Sequence, residues 1–220
     1  MGRPYALIVF DWEGTLGDPL GYLLNIIDEQ ASLLGLSPID RQVARQYLSQ
    51  GLELTLKKLF PDISTQWQVQ LLENIQYALQ MNTKDQCIFE GAKALVECIQ
   101  KAGMQLAIAT NKGAQSLQRA LHVTEMDQFF TVTRSAGQAP AKPCPQMLEE
   151  IMAVFSCLAN QTLMIGDSTS DVEMANAINV ECIGVDFYGH QGEALMHAGA
   201  LKVFDSYAQV GRFLELTDYL

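Results

Sequence analysis

The sequence predicts an α/β fold in which a doubly wound parallel sheet carries an all-helical insert after its first strand. An apolar run from Tyr5 to Phe10, followed by Asp11, has the composition of a strand buried on both faces of a parallel sheet. Runs of the same kind recur at residues 104–109, 162–166, 180–185 and 201–204. Because helical stretches separate these runs, the pattern indicates repeated strand and helix units, which form parallel sheets.

The segment between the first two strands has apolar residues at helical spacing and no strand-like run. Four helical patterns follow one another, at residues 20–34, 41–48, 52–60 and after Ser64. Trp67 and the nearby leucines of the last pattern are predicted to form the interior of the insert. We therefore predict a helical domain at residues 18–84 and a sheet domain at residues 1–17 plus 85–220.

Length and composition are those of a globular protein that buries a core without disulfides. Of the 220 residues, 49% are hydrophobic and 18% charged, and the formal net charge is −11. A surface of this charge repels nucleic acid and anionic membranes, so we expect neither as a partner. The five cysteines lack paired spacing, and no apolar run has the length of a membrane span. These features favour the reducing cytoplasm and leave the oligomeric state open.

Acidic residues follow two of the predicted strands, at the edge where parallel α/β sheets bind ligands. Asp11 and Glu13 follow the first strand, and Gly14 permits a sharp turn there. Asp167 and Asp171 follow a later strand, four residues apart. We expect these four carboxylates to crowd one crevice. Raised pKa values or a bound cation would relieve their repulsion, and an all-oxygen ligand set suits Mg²⁺.

Thr110 and Lys142 add a hydroxyl and a cation to this crevice. Thr110 ends the second apolar run, and Lys142 precedes Pro143 ahead of a predicted helix. Lys112 is an alternative source of the positive charge. Carboxylates, Mg²⁺, a lysine and a hydroxyl are the groups that phosphoryl transfer requires, with an aspartate attacking phosphorus. The sequence lacks the phosphate-loop, dinucleotide-binding, zinc-protease and serine-hydrolase motifs.

Four segments resemble, in the same order, the motifs of the haloacid dehalogenase superfamily. They are residues 10–16 (FDWEGTL), 109–111 (ATN), 142–143 (KP) and 165–171 (IGDSTSD). Within the superfamily, the chain is most similar to bacterial phosphoglycolate-phosphatase-like hydrolases of subfamily IA. The resemblance implies a Rossmann-like core with an inserted helical C1 cap. It also implies a Mg²⁺-dependent phosphatase that hydrolyses a small phosphorylated metabolite.

The resemblance assigns catalytic and phosphate-binding roles. Asp11 would be the nucleophile that forms an aspartyl-phosphate. Thr110 would bind the phosphoryl oxygens, and Lys142 would balance their charge. Main-chain N–H groups of Trp12 and Asn111 would complete the phosphate site.

The resemblance also implies a metal site and a general acid and base. The metal ligands would be the Asp11 and Asp167 carboxylates and the main-chain carbonyl of Glu13. Asp171 would help directly or through water. The Glu13 side chain would protonate the leaving group and later activate water.

Glu13 departs from the family pattern, because the phosphatases of the superfamily usually carry Asp at this position. A shift of about 1 Å in a positioned group can cost roughly a hundredfold in rate. Slowed hydrolysis with intact phosphate and Mg²⁺ binding is therefore one hypothesis. The alternatives are a phosphomutase and a catalytically weakened phosphate-binding or regulatory module. A 2-haloacid dehalogenase is disfavoured, because the resembled dehalogenases bind no Mg²⁺ and lack the Asp167 and Asp171 pair.

Overall fold

A six-stranded parallel sheet organises the larger part of the protein. The computed structural model describes residues 5–48, 50–81 and 87–216. The strands are β1 (Leu7–Phe10), β2 (Gln105–Gly113), β3 (Val132–Ala136), β4 (Thr162–Gly166), β5 (Glu181–Val185) and β6 (Val203–Phe204). They lie in the order β3, β2, β1, β4, β5, β6, and every pair of neighbours is parallel. The predicted α/β fold with a parallel sheet is therefore confirmed.

Helices connect the strands and form the insert. They are α1 (Pro19–Leu33), α2 (Arg41–Leu48), α3 (Leu52–Leu59), α4 (Thr65–Met81), α5 (Ala92–Lys101), α6 (Ala114–Val123), α7 (Gln146–Phe155), α8 (Thr169–Asn176), α9 (Gly192–Ala198) and α10 (Tyr207–Phe213). A 3-10 turn at Ala159–Gln161 precedes β4. None of the described helices is long and apolar enough to cross a membrane.

The chain divides into two compact units. One contains Met1–Asp18 and Ile88–Leu220, and the other contains Pro19–Cys87. In the first unit, alternate residues of β1 face opposite sides of the sheet, so Ile8 lies in one hydrophobic cluster and Leu7 in another. The sheet is therefore covered on both faces, which explains why its central strands are continuous apolar runs.

The second unit consists of α1 to α4 packed around a core of its own. Buried apolar side chains from α1, α3 and α4, among them Leu24, Leu56 and Leu71, form one cluster. The Ser64 hydroxyl accepts a hydrogen bond from the Trp67 N–H at 3.3 Å and so caps the start of α4. The prediction that Trp67 lies in the interior is wrong, because 45% of its surface is exposed. Trp67 lies four residues before the buried Leu71, on the same face of α4 but in the first turn of the helix.

Sequence reasoning missed β3. Its residues, VTRSA, are mostly half-buried and include Arg134, so they show no apolar run. β3 lies at the edge of the sheet and pairs with β2 alone. An edge strand with polar side chains cannot be identified by its apolar runs. Polar side chains on an edge strand also disfavour association with the edge of another sheet.

Candidate active site

The candidate site lies where the order of the strands reverses. β1 pairs with β2 on one side and with β4 on the other. The strands that follow β1 in the chain therefore lie on one side of it as β2 and β3, and on the other side as β4, β5 and β6. At such a point a crevice opens beyond the carboxyl ends of the strands. Asp11 directly follows β1 and Asp167 directly follows β4. The Asp11 N–H donates to the Ile165 carbonyl at 2.9 Å, which continues the pairing of β1 and β4 to the edge of the crevice.

Three of the predicted carboxylates form one cluster. Asp11, Asp167 and Asp171 each offer an oxygen that lies within 4.8 Å of the other two. Asp171 is fully buried, Asp11 is buried and Asp167 is half-buried. The prediction that four carboxylates crowd the crevice is corrected here, since the described residues place the Glu13 carboxylate against Lys112 instead.

Lys142 supplies the positive charge inside the cluster. Its Nζ atom lies 2.8 Å from Asp11 Oδ1 and 2.5 Å from Asp171 Oδ1, and its side chain is 2% exposed. The Lys142 N–H donates to the Asn111 side-chain oxygen at 2.8 Å, so the end of β2 anchors the loop that carries this lysine. The side chain of Asn111 thus has a positioning contact that sequence reasoning missed, since only its main-chain N–H was assigned a role.

Asp171 is held by its position at the start of α8. Its Oδ2 atom accepts hydrogen bonds from the Ser168 N–H at 3.1 Å and from the Ser168 hydroxyl at 2.7 Å. This is the side-chain contact of a capping box at a helix N-terminus. Lys142 contacts Oδ1 and Ser168 contacts Oδ2, so Asp171 holds the lysine in place while it lies in the cluster with Asp11 and Asp167.

Two glycines let the main chain approach the carboxylates closely. A Cβ atom at Gly14 would lie 2.0 Å from Asp167 Oδ2, and Gly14 has a positive φ of 78°. A Cβ atom at Gly166 would lie 2.4 Å from the Asp171 carboxyl carbon. Any larger side chain at either position would displace an aspartate of the cluster, so the geometry of the site explains both glycines.

Thr15 and Tyr207 support the same turn and were not identified from the sequence. The Thr15 hydroxyl donates to Asp167 Oδ1 at 3.1 Å. The Tyr207 hydroxyl donates to the Thr15 carbonyl at 2.5 Å, and Tyr207 is buried. Burial raises the pKa of Tyr207, and the negative charges of Asp167 and Asp11 raise it further. Tyr207 therefore stays a neutral donor that holds the turn in place.

Burial and mutual repulsion raise the pKa values of two carboxylates. Burial raises the pKa of Asp11 to about 6, although Lys142 and the Thr110 hydroxyl oppose the rise. Burial and the charges of Asp11 and Asp171 raise the pKa of Asp167 to about 7. Burial alone would lower the pKa of Lys142, but the adjacent Asp11 and Asp171 carboxylates outweigh it and raise the pKa above its ordinary value.

The donor set fits a divalent cation. Hard cations such as Mg²⁺ prefer carboxylate and carbonyl oxygens, and the Asp11, Asp167 and Asp171 cluster is made of these. The buried Asp11 Oδ1 atom accepts no well-aligned hydrogen bond from the described residues. Its contact with Lys142 is an ion pair. A cation would satisfy this oxygen and would also favour the ionised forms of Asp11 and Asp167, whose pKa values are raised without one.

The remaining predicted residues lie close to the cluster. The Thr110 hydroxyl lowers the pKa of Asp11, and its oxygen accepts the Lys112 N–H at 3.2 Å. The Trp12 ring is buried in the hydrophobic core, and a Cβ atom at Gly17 would lie 2.7 Å from its Nε1 atom. Lys112, the alternative source of charge, contacts Glu13 and not Asp11, so the structure assigns the central position to Lys142.

Comparisons with known proteins agree with the fold and the motifs. The sequence profile of the haloacid dehalogenase-like hydrolases matches residues 8–185. A phosphoglycolate phosphatase of Rhodospirillum rubrum is 27% identical over 219 residues, which cover 94% of this chain and 90% of that protein. A phosphoglycolate phosphatase of Pseudomonas fluorescens is 26% identical over 215 residues, 93% of this chain and 78% of that protein. The structure of a haloacid dehalogenase family hydrolase from Deinococcus radiodurans, with bound phosphate and sodium, matches with a TM-score of 0.69 at 19% identity, covering 97% of each chain.

Proposed function

Because the chain belongs to the haloacid dehalogenase-like hydrolase family, we propose that it is a magnesium-dependent phosphatase of small phosphate esters. One observation carries the proposal. A buried lysine joins two aspartates at the carboxyl edge of the sheet, and a third aspartate completes a cluster of oxygens within 4.8 Å. A nucleophile, a fixed cation and a place for a divalent cation are therefore together, as phosphoryl transfer requires.

Asp11 is the nucleophile in the first step. Its carboxylate attacks phosphorus, a bond forms between the carboxylate oxygen and phosphorus, and the bond to the leaving oxygen breaks. The leaving oxygen takes a proton from the Glu13 carboxyl group. In the second step, water gives a proton to Glu13 and attacks the same phosphorus, so that phosphate leaves and the Asp11 carboxylate is restored.

Lys142 and Thr110 stabilise the transferred group. The charge of Lys142 offsets the negative charge that the phosphoryl oxygens add beside Asp11. The Thr110 hydroxyl lies against Asp11 and can donate to a phosphoryl oxygen in place of the carboxylate. The main-chain N–H groups of Trp12 and Asn111 are proposed as further donors, as the family resemblance implies.

The Asp11 and Asp167 carboxylates and the Glu13 main-chain carbonyl are proposed to hold Mg²⁺, with Asp171 helping directly or through water. When bound, the cation neutralises phosphoryl charge and favours ionised Asp11. Asp11 needs this help, because burial holds its pKa at about 6 in the metal-free protein. Lys142 and Thr110 act on the same carboxylate in the same direction.

The substrate is proposed to be a small phosphorylated metabolite of the phosphoglycolate kind. Relatives that bear the name phosphoglycolate phosphatase align with more than nine tenths of this chain. The role of residues 18–84 as a cap that selects the substrate stays a prediction from the family resemblance. A cytoplasmic location is proposed on the same basis.

The proposed function is tested by phosphate release from an aryl phosphate and from a panel of small esters that includes phosphoglycolate. We expect release that depends on Mg²⁺ and that Asp11→Asn lowers by several orders of magnitude. Asp62→Asn, which changes an exposed aspartate of the helical unit, is the matched control and should leave the rate unchanged.

Three outcomes would contradict the phosphatase proposal in different ways. Release that is indifferent to Mg²⁺ or to Asp11→Asn would exclude this mechanism. A phosphoenzyme that outlives exposure to water but transfers phosphate to a sugar hydroxyl would identify a phosphomutase. Thermal stabilisation by esters with no product formed would identify a phosphate-binding module.

A further inference from the structure

The Glu13 carboxylate has a partner outside the buried cluster. Lys112 Nζ donates to Glu13 Oε1 at 2.6 Å. The Glu13 side chain is 54% exposed, whereas the Lys112 side chain is only 15% exposed. One partner is therefore free to move in solvent, and the other is largely enclosed by its surroundings.

The surroundings of Lys112 restrict its side chain more than those of Glu13 restrict the glutamate, since 15% of the lysine side chain is exposed against 54% of the glutamate. Lys112 lies near the carboxyl end of β2, beyond the residues Gln105–Ile108 that pair with β1. Its own N–H donates to the Thr110 hydroxyl oxygen at 3.2 Å. A long, half-exposed carboxylate such as Glu13 otherwise samples several rotamers, and fixing one of them costs conformational entropy.

The length of glutamate is what makes the contact possible. Aspartate at position 13 would be shorter by one carbon–carbon bond, or about 1.5 Å. From an observed distance of 2.6 Å, such a withdrawal takes the carboxylate beyond hydrogen-bond reach of Lys112 unless the lysine side chain or the main chain shifts. The contact as observed therefore depends on the length of the glutamate side chain.

We propose that Lys112 is a positioning residue that fixes the ionised Glu13 carboxylate for the step in which it takes a proton from water, and thereby compensates for its extra methylene. The inference rests on the proposed phosphatase function. Lys112 acts through Glu13 and needs no contact with the phosphoryl group. Its role differs from that of Lys142, whose ammonium group contacts the nucleophile itself.

A double-mutant cycle tests the proposal. Lys112→Met in the wild-type background should lower kcat roughly tenfold to a hundredfold, with KM changed less than about twofold, because the carboxylate loses its fixed position. The same substitution in the Glu13→Asp background should change kcat by less than about twofold. Lys112→Arg keeps the charge and a donor and should recover part of the rate. Lys101→Met, an exposed lysine at the end of α5, is the matched control.

A second readout does not depend on turnover. In protein with ¹⁵N-labelled lysine, a hydrogen-bonded ammonium group exchanges its protons slowly enough for an NMR signal. We expect such a signal for Lys112 in the wild type and its loss in Glu13→Gln, because the amide cannot hold an ion pair.

Each outcome supports or overturns the positioning role. An equal fall of kcat/KM in both backgrounds with a raised KM would show that Lys112 binds the substrate itself, which overturns it. An unchanged wild-type kcat, or an absent Lys112 signal, overturns it as well. If neither wild type nor Glu13→Asp released phosphate while the NMR signal was present, the contact would stand and the proposed function would fail.

Discussion

The site contains two lysines that contact carboxylates, and the two differ chiefly in burial. Lys142 is 2% exposed and lies between Asp11 and Asp171, the latter with no exposed surface. Lys112 and Glu13 form an equally short contact, but more than half of the Glu13 side chain is exposed. Water screens the second pair and hardly reaches the first.

This difference teaches that equal distances do not imply equal energies. Removing one member of a buried pair leaves an uncompensated charge, whereas removing one member of an exposed pair leaves a charge that water solvates. We therefore expect the buried contact to matter for both folding and chemistry. The exposed contact should matter for chemistry alone, because only there does the exact position of a carboxylate count.

The largest effect is expected for Lys142→Met. The substitution leaves Asp11 and Asp171 facing each other without a cation, which should destabilise the protein by about 3–5 kcal/mol near pH 8. Phosphate release should fall a hundredfold or more, since a buried donor at the reacting group is lost. Urea unfolding and steady-state rates measure the two effects, with Lys101→Met as the exposed control. A loss of stability no greater than that of Lys101→Met would contradict the prediction that the buried contact contributes more to folding than the exposed one.

The next largest effect is expected for Gly14→Ala, a substitution on the main chain that would displace an aspartate of the buried cluster. The new methyl group would overlap Asp167 Oδ2, and alanine strains a φ of 78°. We expect the Mg²⁺ dissociation constant, measured by calorimetry, to rise about tenfold or more because a ligand is displaced. Gly113→Ala is the control, since its Cβ would meet nothing within 4 Å. Equal Mg²⁺ affinity in both variants would show that Asp167 takes no part in binding.

The pH dependence of stability gives a further test of the buried cluster. Asp11 and Asp167 have folded pKa values of about 6 and about 7, above the ordinary value of 3.8, so the unfolded chain loses these protons first as the pH rises. Their contribution to stability is complete below pH 4 and is lost as the pH rises through 6 and 7. Metal-free protein should therefore lose on the order of 4 kcal/mol between pH 5 and pH 8.

Urea unfolding in a chelator measures this slope. Asp167→Asn should flatten it, because asparagine does not titrate. Mg²⁺ should stabilise the protein more at pH 8 than at pH 5, since the cation binds the ionised carboxylates. A stability that is level across this range in the chelated wild type would contradict the raised pKa values.

The smallest effect is expected for the stability of Lys112→Met. An exposed ion pair contributes less than about 1 kcal/mol, so Tm should fall by no more than about 2–4 °C for a chain of this length. Differential scanning calorimetry beside Lys142→Met would compare the two contacts directly. A loss as large as that of Lys142→Met would show that the Lys112 contact is a structural one.

Much of the fold was predictable because it depends on local periodicity. β1 and β4 are central strands covered on both faces, so they are apolar throughout and visible as runs. Helices α1 to α4 present one apolar face each, and their spacing identified them. Trp67 was misplaced because helical spacing puts it on the same face as Leu71, whereas only tertiary packing shows that its side chain in the first turn of α4 stays 45% exposed.

The site was predictable in part, through the residues that follow the strands. Asp11, Thr110 and Asp167 were expected at one edge because parallel strands all end there. By contrast, Thr15, Ser168 and Tyr207 act through single hydrogen bonds, and threonine, serine and tyrosine occur too often in turns and cores to mark such contacts. The contact between Lys112 and Glu13 also needed coordinates.

The sequence by itself determined the parallel α/β fold, the family and the residues that meet beyond the strand ends, because periodicity and ordered motifs are local properties of the chain. Only the tertiary structure decided which lysine faces which carboxylate. The Glu13 and Lys112 contact joins residues 99 positions apart, and it depends on the register of β1 against β2 and on side-chain lengths. Burial is also decided by the tertiary structure, since the exposed fraction of a side chain depends on how the whole chain packs. It is burial that separates the cluster at Lys142 from the exposed pair at Lys112.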